Sequence, residues 1–393
     1  MSEGRDYIRL SVAHIYTTYY TDTMRDTIVI IPALDPDPRL ITYCDELIKA
    51  GIETILLVDD GSDEEHRTVF TQLSDRCVVL HHPHNLGKGR ALKNSFSLIC
   101  NGTLPNDLTY EGPRPLEDML PAIKEAKCVV TADSDGQHAV TDVLEVARRT
   151  QGSGDALVLG ARDFDSDNVP FKSKKGNKLT RRLFEILHGL KLTDTQTGLR
   201  GIPVSLLPVF MEGKGERFEY ELDMLVIAAR EHIPVIEVPI ETIYENANEG
   251  THFRAVSDSI SVYKILFGTF FKFLLTSLSS FVVDILVFRL MLAIFAGVGE
   301  ELKITMATAI ARVISSVYNF LMNKNIVFLK EGEMVRSALG YYTLCVLQML
   351  TSAGLVILVH KILPIPETYV KIIVDSGLFV ISYQIQKRIV FRR

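Results

Sequence analysis

The hydrophobic pattern before about residue 258 alternates between short apolar runs and longer stretches with helical spacing. Six runs rich in β-branched residues predict strands, at 27–31, 54–59, 77–80, 128–131, 156–159 and 235–238. Helix-compatible segments separate most of them, at 39–50, 63–73, 88–100 and 141–150. This alternation predicts an α/β domain built on a mostly parallel sheet. The stretch 100–115 is rich in Pro and Gly, and we interpret it as a surface insertion.

After about residue 267 the pattern changes to long apolar runs. There are four of them, at roughly 270–297, 304–322, 337–360 and 368–386. Each is close to the ~20 residues that a helix needs to cross a bilayer. A single run is also compatible with a buried core helix, but four in succession predict an all-α transmembrane domain.

These changes of pattern predict four parts of the chain. They are an N-terminal extension at 1–26, an α/β domain at 27–256, a juxtamembrane helix at 257–269 and a four-helix membrane domain at 270–393. Apolar residues near 179–190 recur at helical spacing, with Arg181 and Arg182 opposite them. That pattern is typical of an amphipathic helix at a membrane surface. An ordinary helix packed on the sheet is the alternative.

Composition narrows the class of protein. Apolar residues make up 47%, which excludes a disordered chain. The net charge is −6, but residues from 267 onward hold 13 Lys and Arg against 7 Asp and Glu, whereas those before hold 29 against 41. The acidic part argues against nucleic-acid binding, and the basic, apolar part indicates a lipid bilayer. Five cysteines form no CxxC pair, and no apolar segment opens the chain, so we expect a cytosolic α/β domain and no signal peptide.

Basic residues favour one side of the predicted membrane domain. The linker 323–336 and the tail 387–393 are basic, whereas the turns near Gly299 and Pro364 carry fewer basic residues. The positive-inside rule therefore predicts that the basic segments, both termini and the α/β domain face the cytoplasm. We expect an integral, multi-pass protein of the cell membrane.

The membrane part contains an internal repeat. Residues 319–328 resemble residues 382–391, and each copy ends an apolar run with a basic residue followed later by Val-Phe. A duplication predicts two helix pairs in the same orientation, although chance similarity is an alternative.

Charged residues also fall inside the predicted spans, namely Asp284, Arg289, Arg312 and Asp375. Charges at this depth are costly and are often functional. They indicate an ion pair within the bundle or a contact with a lipid phosphate, and the sequence does not decide between these.

Residues that directly follow strands carry the candidate chemistry, because ligands bind at the carboxyl ends of strands in open α/β sheets. The segment 133–137, DSDGQ, follows the run 128–131. Asp133 and Asp135 can reach one hard cation there, and Mg²⁺ and Mn²⁺ favour carboxylate and phosphate oxygens. Gln137 can add an amide oxygen. A solvated Asp/Gly turn has the same local sequence and is the alternative.

Two further segments belong to the same predicted edge. The turn 58–62, VDDGS, offers carboxylates that can accept hydrogen bonds from a base or ribose, while Ser62 fits an N-cap. The segment 84–90, HNLGKGR, combines glycines for close backbone approach with two cations. It lacks the spacing of a P-loop.

The motifs form an ordered series along the chain. They are IIPAL at 30–34, VDDGS at 58–62, NLGKG at 85–89, DSDGQ at 133–137, GAR at 160–162 and TQTGLR at 195–200. This series resembles the family-2 inverting glycosyltransferases. FEYE at 218–221, VPI at 238–240 and THFR at 251–254 resemble the polyprenyl-phosphate branch, which includes dolichol-phosphate mannose synthase. The four-helix part resembles the GtrA-like membrane domain, whose helix pairs end in an Asn-Phe…basic…Phe pattern.

The resemblance implies a fold and an activity. The fold is that of the GT-A-like nucleotide-diphospho-sugar transferases, for residues 27–256. The activity is inverting transfer of a hexose, mannose or glucose, from a nucleotide diphosphate sugar to dolichol- or undecaprenyl-phosphate on the cytoplasmic face. Whether the donor is GDP-mannose or UDP-glucose is open, and so is whether the chain forms a homo-oligomer.

The resemblance also implies roles for individual residues. Mg²⁺ or Mn²⁺ is expected on Asp133, Asp135 and Gln137. The nucleotide sugar is expected on Pro32, Leu34, Asp35, Val58, Asp60, Lys88 and Asp133. The acceptor phosphate is expected on Arg162, Lys172, Lys174, Arg200 and Arg254, and catalysis is expected to rest on Asp133, Asp135, Arg162 and Arg200.

One departure and two alternatives stand beside this expectation. The family commonly has Asn-Glu-Glu after the first strand, whereas this chain has Asp35-Pro36-Asp37, so a carboxylate contact there depends on Asp35 or Asp37. Transfer to another lipid or to a polysaccharide is a second enzyme hypothesis, although the chain lacks the Trp of processive synthases. A bundle that translocates lipid-linked sugar is a hypothesis from another class.

Overall fold

The computed structural model describes residues 24–162, 171–241, 255–329, 334–362 and 366–392. The chain divides into two compact units, Met1–Leu266 and Phe267–Arg393. The first unit contains an eight-stranded sheet. Its strands are β1 Thr27–Ala33, β2 Thr54–Asp59, β3 Val78–His81, β4 Thr109–Glu111, β5 Cys128–Thr131, β6 Leu157–Arg162, β7 Arg200–Pro203 and β8 Val235–Ile240.

The strand order across the sheet is β4-β3-β2-β1-β5-β7-β6-β8. The pairs β1–β2, β1–β5, β2–β3 and β6–β8 are parallel, whereas β4 and β7 run antiparallel to their neighbours. The predicted fold class, a mostly parallel α/β sheet followed by a helical part, is confirmed. Strands β4 and β7 were not expected, and β4 lies within the stretch interpreted as a surface insertion.

The described part of the first unit also contains eight complete α-helices. They are α1 Arg39–Lys49, α2 Arg67–Leu73, α3 Lys88–Asn101, α4 Leu116–Glu125, α5 Val140–Gln151, α6 Phe171–His188, α7 Leu207–Met211 and α8 Glu219–Glu231. Strand β1 is buried along its whole length, which is why its sequence reads as one apolar run rather than an alternation. Val29 and Ile31 pack with Leu40 and Leu47 of α1 and with Val143 of α5 in one core cluster.

The sheet topology creates a crevice between β1 and β5. Strand β1 pairs with β2 on one side and with β5 on the other. The chain adds β2, β3 and β4 on one side of β1 and then returns to add β5 on the opposite side. In open α/β sheets, ligands bind at such a switch point, outside the carboxyl ends of the strands. The segment 133–137 follows β5 at this point, next to the end of β1 at Ala33.

The second unit is helical. Its helices are α9 Ala255–Ile294, which begins in the first unit, α10 Glu300–Met322, α11 Met334–Ile362 and α12 Glu367–Ile385. Short π-helical turns, Asn323–Val327 and Gln386–Val390, follow α10 and α12. Helix α9 runs without a break through the predicted juxtamembrane helix and the first predicted span.

Among the described residues, three helical segments are long and apolar enough to cross a membrane: Val262–Ile294, Glu300–Val327 and Met334–Val359. Helix α12, which matches the fourth predicted run, is not among them, because Lys371 and Asp375 lower its hydropathy. The topology with four spans stays a prediction.

Three of the charged residues predicted inside the bundle, Asp284, Arg312 and Asp375, have polar partners. Asp284 accepts a 2.8 Å hydrogen bond from Ser315 Oγ, and Arg312 Nη1 lies 3.8 Å from its other oxygen. Asp375 pairs with Lys371 at 2.9 Å. The ion-pair interpretation therefore has direct support at Asp284 and Arg312.

Candidate active site

Asp133 is the centre of the polar site at the β1–β5 crevice. Its Oδ1 accepts a hydrogen bond from Lys88 Nζ, and its Oδ2 lies 3.1 Å from His138 Nε2. Burial alone would raise the pKa of Asp133, but Lys88 and His138 hold it well below its usual range. Asp133 is therefore a carboxylate at neutral pH.

Gly198 forms the wall behind Asp133. A Cβ at position 198 would lie 2.4 Å from Asp133 Oδ2, so no larger residue fits there without moving the carboxylate. The carbonyl of Gly198 accepts a 2.7 Å hydrogen bond from Thr131 Oγ1 on β5. The TQTGLR motif thus supplies the surface against which Asp133 rests.

Lys88 links Asp133 to Glu221, a residue to which the sequence alone assigned no role. Its ammonium donates to Asp133 Oδ1 and also to Glu221 Oε1 on α8. Burial opposes the charge, yet the two carboxylates raise the pKa of Lys88 above its usual range. The site therefore holds a permanent cation between two acids.

Asp135 differs from Asp133 in being exposed. Its Oδ1 accepts a 3.1 Å hydrogen bond from the backbone N–H of Gln137. Partial desolvation of the carboxyl group and the negative charge of Asp133 both raise the pKa of Asp135. A divalent cation would remove this repulsion, and carboxylate and amide oxygens are the donors that Mg²⁺ and Mn²⁺ prefer. Asp133, Asp135 and Gln137 therefore fit such an ion.

Asp59 and Asp60, at the end of β2, are committed to the protein itself. Asp60 is buried and accepts hydrogen bonds from the backbone N–H groups of Leu86 and Gly87, at 2.9 and 2.8 Å. His82 Nδ1 lies 2.7 Å from the same carboxylate. Asp60 thus fixes the loop that leads into α3 and to Lys88, and its predicted contact with the nucleotide stays a prediction.

The other residues expected to contact the nucleotide lie at the ends of β1 and β2. Pro32 and Val58 are buried and stand in register on the two neighbouring strands. Leu34 and Asp35 follow β1 and are half-buried. Asp35 has a left-handed backbone, with φ of 47°, and its N–H donates to Ser62 Oγ at 2.8 Å. The turn after β1 is therefore tied to the turn after β2.

Arg162, at the end of β6, forms a two-pronged ion pair. Its Nε and Nη2 donate to Asp194 at 2.7 and 3.2 Å, and Asp194 is fully buried. Glu237 of β8 accepts the backbone N–H of Thr193 at 2.7 Å. The guanidinium is thereby held rigidly beside the segment that leads to Gly198. Its predicted contact with the acceptor phosphate remains untested.

Arg200, the first residue of β7, is buried rather than open to the crevice. Its Nε donates to the carbonyl of Thr197 at 3.0 Å and its Nη1 donates to the carbonyl of Glu221 at 2.6 Å. Its Nη2 has no hydrogen-bond partner among the described residues. Burial lowers the pKa of Arg200, although nearby acids oppose the shift. Arg200 links the TGLR segment to α8.

Three further residues are expected at the acceptor phosphate, namely Lys172, Lys174 and Arg254. Lys172 and Lys174 lie in the first turns of α6. Arg254 lies outside the described residues. The predictions for these three residues stay predictions.

The glycines of the segment 84–90 serve the packing of α3 against the segment 213–221. A Cβ at Gly87 would lie 2.3 Å from the Glu216 carbonyl, and one at Gly89 would lie 2.6 Å from Tyr220 Cβ. Arg90, the second cation of this segment, pairs with Glu216 at 2.7 Å. The motif therefore joins two elements and leaves Lys88 as its cation at the site.

Comparison with known proteins identifies the second unit. The family model "GtrA/DPMS, transmembrane domain" matches residues 272–391. The second unit is a GtrA/DPMS transmembrane domain. The chain is thus an integral membrane protein, as predicted, with its α/β unit preceding the GtrA/DPMS domain.

Several relatives of the chain are glycosyltransferases. UDP-N-acetylglucosamine–dolichyl-phosphate N-acetylglucosaminyltransferase of Methanococcus voltae is 27% identical over 239 residues, which is 55% of this chain and 85% of that protein. Dolichyl-phosphate beta-glucosyltransferase of Dictyostelium discoideum is 24% identical, over 63% of this chain and 74% of that protein. These relatives confirm the predicted resemblance and the enzyme class.

A solved structure is also similar in part. It is glucosyl-3-phosphoglycerate synthase from Mycobacterium tuberculosis, in complex with Mn²⁺, UDP and phosphoglyceric acid. It is 14% identical, covers 62% of this chain and 77% of its own, and superimposes with a TM-score of 0.41.

Proposed function

We propose that this protein transfers a hexose from a nucleoside diphosphate sugar to polyprenyl phosphate at the cytoplasmic surface of the membrane. The observation that carries the proposal is the acidic site of Asp133 and Asp135 at the switch point of the sheet, in one chain with a GtrA/DPMS domain. The similarity to two dolichyl-phosphate glycosyltransferases supports a dolichyl-phosphate acceptor.

The acidic site supports binding of the donor diphosphate. Mg²⁺ or Mn²⁺ would be held by Asp133, Asp135 and Gln137, and when bound it would supply positive charge for the departing nucleoside diphosphate. Lys88 adds a fixed ammonium group beside Asp133. The absence of a side chain at Gly198 leaves room for the Asp133 carboxylate in this position.

The acceptor phosphate has to be positioned by the enzyme rather than deprotonated by a general base. A phosphate monoester has a second pKa of about 6, so it is mostly a dianion at pH 7 and is already a nucleophile. Arginine suits a phosphate because its planar fork can donate two parallel hydrogen bonds. Arg162, held in one orientation by Asp194, is the residue that we assign to this task. A single displacement inverts the configuration of the transferred sugar.

Helix α6 supports presentation of a lipid acceptor. Phe184 and Leu187 face the interior of the first unit, whereas Leu179 and Ile186 are half exposed. The segment 179–190 therefore has features of both a helix packed on the domain and an amphipathic helix at a membrane surface. One face packs on the domain, and another presents apolar side chains outward. An exposed apolar face beside basic residues is suited to a membrane surface.

The proposal is tested by a donor screen. Membranes that contain the protein are incubated with polyprenyl phosphate, Mg²⁺ and radiolabelled UDP-glucose, UDP-N-acetylglucosamine or GDP-mannose. We expect one donor to give a labelled, chloroform-soluble product that is absent from control membranes and from membranes with the Asp135→Asn variant. No lipid-linked product from any donor would contradict the proposal.

A further inference from the structure

Lys88 differs from an exposed surface lysine and from a lysine that pairs with a single acid. Its side chain is only 14% exposed, and its ammonium contacts Asp133 and Glu221 together. These two acids lie 88 residues apart in the sequence, on the β5 edge and on α8. The Lys88 ammonium is thus shared between Asp133, whose carboxylate fits a metal ion, and Glu221, which lies on α8.

Glu221 is fixed in place by its surroundings. The residue is 8% exposed, and its backbone carbonyl accepts the 2.6 Å hydrogen bond from Arg200 Nη1. The preceding residue, Tyr220, donates its hydroxyl to the Phe210 carbonyl at 2.9 Å. Gly89 lies so close to Tyr220 that a Cβ has no room between them. The relation of α3 to α8, and with it that of Lys88 to Glu221, is therefore set by close packing.

The shared cation has a consequence for metal binding. A divalent ion on Asp133 and Asp135 would stand beside the Lys88 ammonium, and like charges at contact distance repel strongly in a partly buried site. A donor diphosphate brings negative charge that can pair with both the divalent ion and the Lys88 ammonium. Of the two partners that Lys88 has among the described residues, Glu221 is the one that it would keep through this exchange.

We infer that Lys88 is a resident counter-ion that shields Asp133 until metal and donor diphosphate bind together, and that Glu221 is the residue that positions Lys88 in both states. This inference rests on the proposed function. It makes Glu221 a positioning residue rather than a general base, because its Oε1 is committed to Lys88 and the acceptor is already a dianion.

The test measures Mn²⁺ binding by electron paramagnetic resonance, on the full chain in detergent, with and without UDP or GDP. We expect the wild-type protein to bind Mn²⁺ weakly alone and more tightly with the nucleoside diphosphate. The key variant is the double substitution Lys88→Met with Glu221→Gln, which leaves the net charge unchanged. Without the counter-ion, it should bind Mn²⁺ alone about tenfold more tightly than wild type. The gain from nucleotide should disappear.

Three single variants complete the design. Lys88→Arg keeps the cation and should retain both the weak binding of Mn²⁺ alone and the gain from nucleotide, which also shows that position 88 tolerates substitution. Arg90→Met, which breaks the neighbouring pair with Glu216, should behave as wild type. Glu221→Gln alone should weaken Mn²⁺ binding in the presence of UDP or GDP.

The outcomes separate the inference from the function on which it rests. Unchanged Mn²⁺ affinity in the double variant, with wild-type binding intact, would overturn the counter-ion role alone. Failure of the wild-type protein to bind Mn²⁺ with either nucleotide would overturn the proposed function and this inference together.

Discussion

The side-chain amide of Asn323 donates a 3.1 Å hydrogen bond to the amide oxygen of Gln386, which lies 63 residues later in the chain. The same spacing separates the π-helical turns that begin at these two residues. It also separates Phe328 from Phe391, whose rings stack with centroids 5.2 Å apart. Residues at equivalent positions of the two similar segments therefore contact each other within the helical unit.

Removing one amide of this pair should destabilise the GtrA/DPMS domain. Asn323 also accepts a 2.9 Å hydrogen bond from Thr276 Oγ1, so Asn323→Leu removes two buried hydrogen bonds at once. We expect a loss of about 1–2 kcal/mol, which is typical of such bonds in membrane domains. Thermal unfolding in detergent measures it. Asn323→Leu combined with Gln386→Leu should be less destabilised than the sum of the single variants, and strict additivity would contradict the pairing.

Gly198→Ala should impair activity while the fold is retained. The added Cβ would meet Asp133 Oδ2 at 2.4 Å, so the carboxylate has to move away from its position at the site. Displacements of about 1 Å at a reacting site can cost about a hundredfold in rate. The matched control is Gly152→Ala, where the nearest atom lies at 3.6 Å and activity should be unchanged. Equal activity of the two variants would show that Asp133 does not need its observed position.

Asp194→Asn should affect the acceptor and not the donor. The buried Asp194 holds the Arg162 guanidinium through two hydrogen bonds, and a neutral amide would release it. We expect a KM for polyprenyl phosphate that is at least about fivefold higher, with a nearly unchanged KM for the sugar nucleotide, because a freed arginine loses its two-pronged geometry. Steady-state kinetics with each substrate varied in turn measures both. A rise in the donor KM alone would place Arg162 elsewhere in the mechanism.

Asp59 should give the first unit a stability that is lost in acid. Burial would raise the pKa of Asp59, but hydrogen bonds from His81 and Ser62 lower it on balance. A carboxyl group whose pKa is lower in the folded state stabilises the fold above its unfolded pKa of about 3.9, and the contribution is lost as the pH falls through the folded value.

Melting temperatures by circular dichroism between pH 3 and pH 7 test this prediction. The wild-type curve should fall more steeply towards low pH than that of Asp59→Asn. A substitution of the exposed Asp107 by Asn should leave the wild-type slope unchanged. Parallel curves for wild type and Asp59→Asn would contradict the assignment.

The hydrophobic pattern of the sequence could predict the strands whose apolar residues form continuous buried runs. Each of the six predicted runs became a strand. Five of them, β1, β2, β3, β5 and β6, are buried almost throughout, and parallel strands covered on both faces carry an unbroken apolar sequence. Strand β4, TYE, is exposed or half-buried and therefore lacks this signature. Strand β7 begins at Arg200 and contains Gly and Pro, so its sequence reads as a turn.

The candidate site could be predicted only where a single motif carries it. The position of Asp133 and Asp135 after β5 followed from the sequence, because strand order places acidic turns at one edge. The role of Glu221 did not follow, because its contact with Lys88 joins residues 133 positions apart. Asp60 has the pattern of a ligand-binding acid, yet its partners are backbone N–H groups 26 and 27 residues later, which no side-chain pattern reveals.

The central claim is that Asp133 and Asp135 hold a divalent ion that the sugar transfer requires. The most direct measurement is the rate of lipid-linked product formation after EDTA treatment and stepwise return of Mn²⁺, for the wild-type protein and for Asp135→Asn. The account predicts no product in EDTA, full recovery of the wild type with Mn²⁺, and loss of at least about a hundredfold in the variant at every Mn²⁺ concentration. Undiminished product formation in EDTA, or a fully active Asp135→Asn protein, would contradict it.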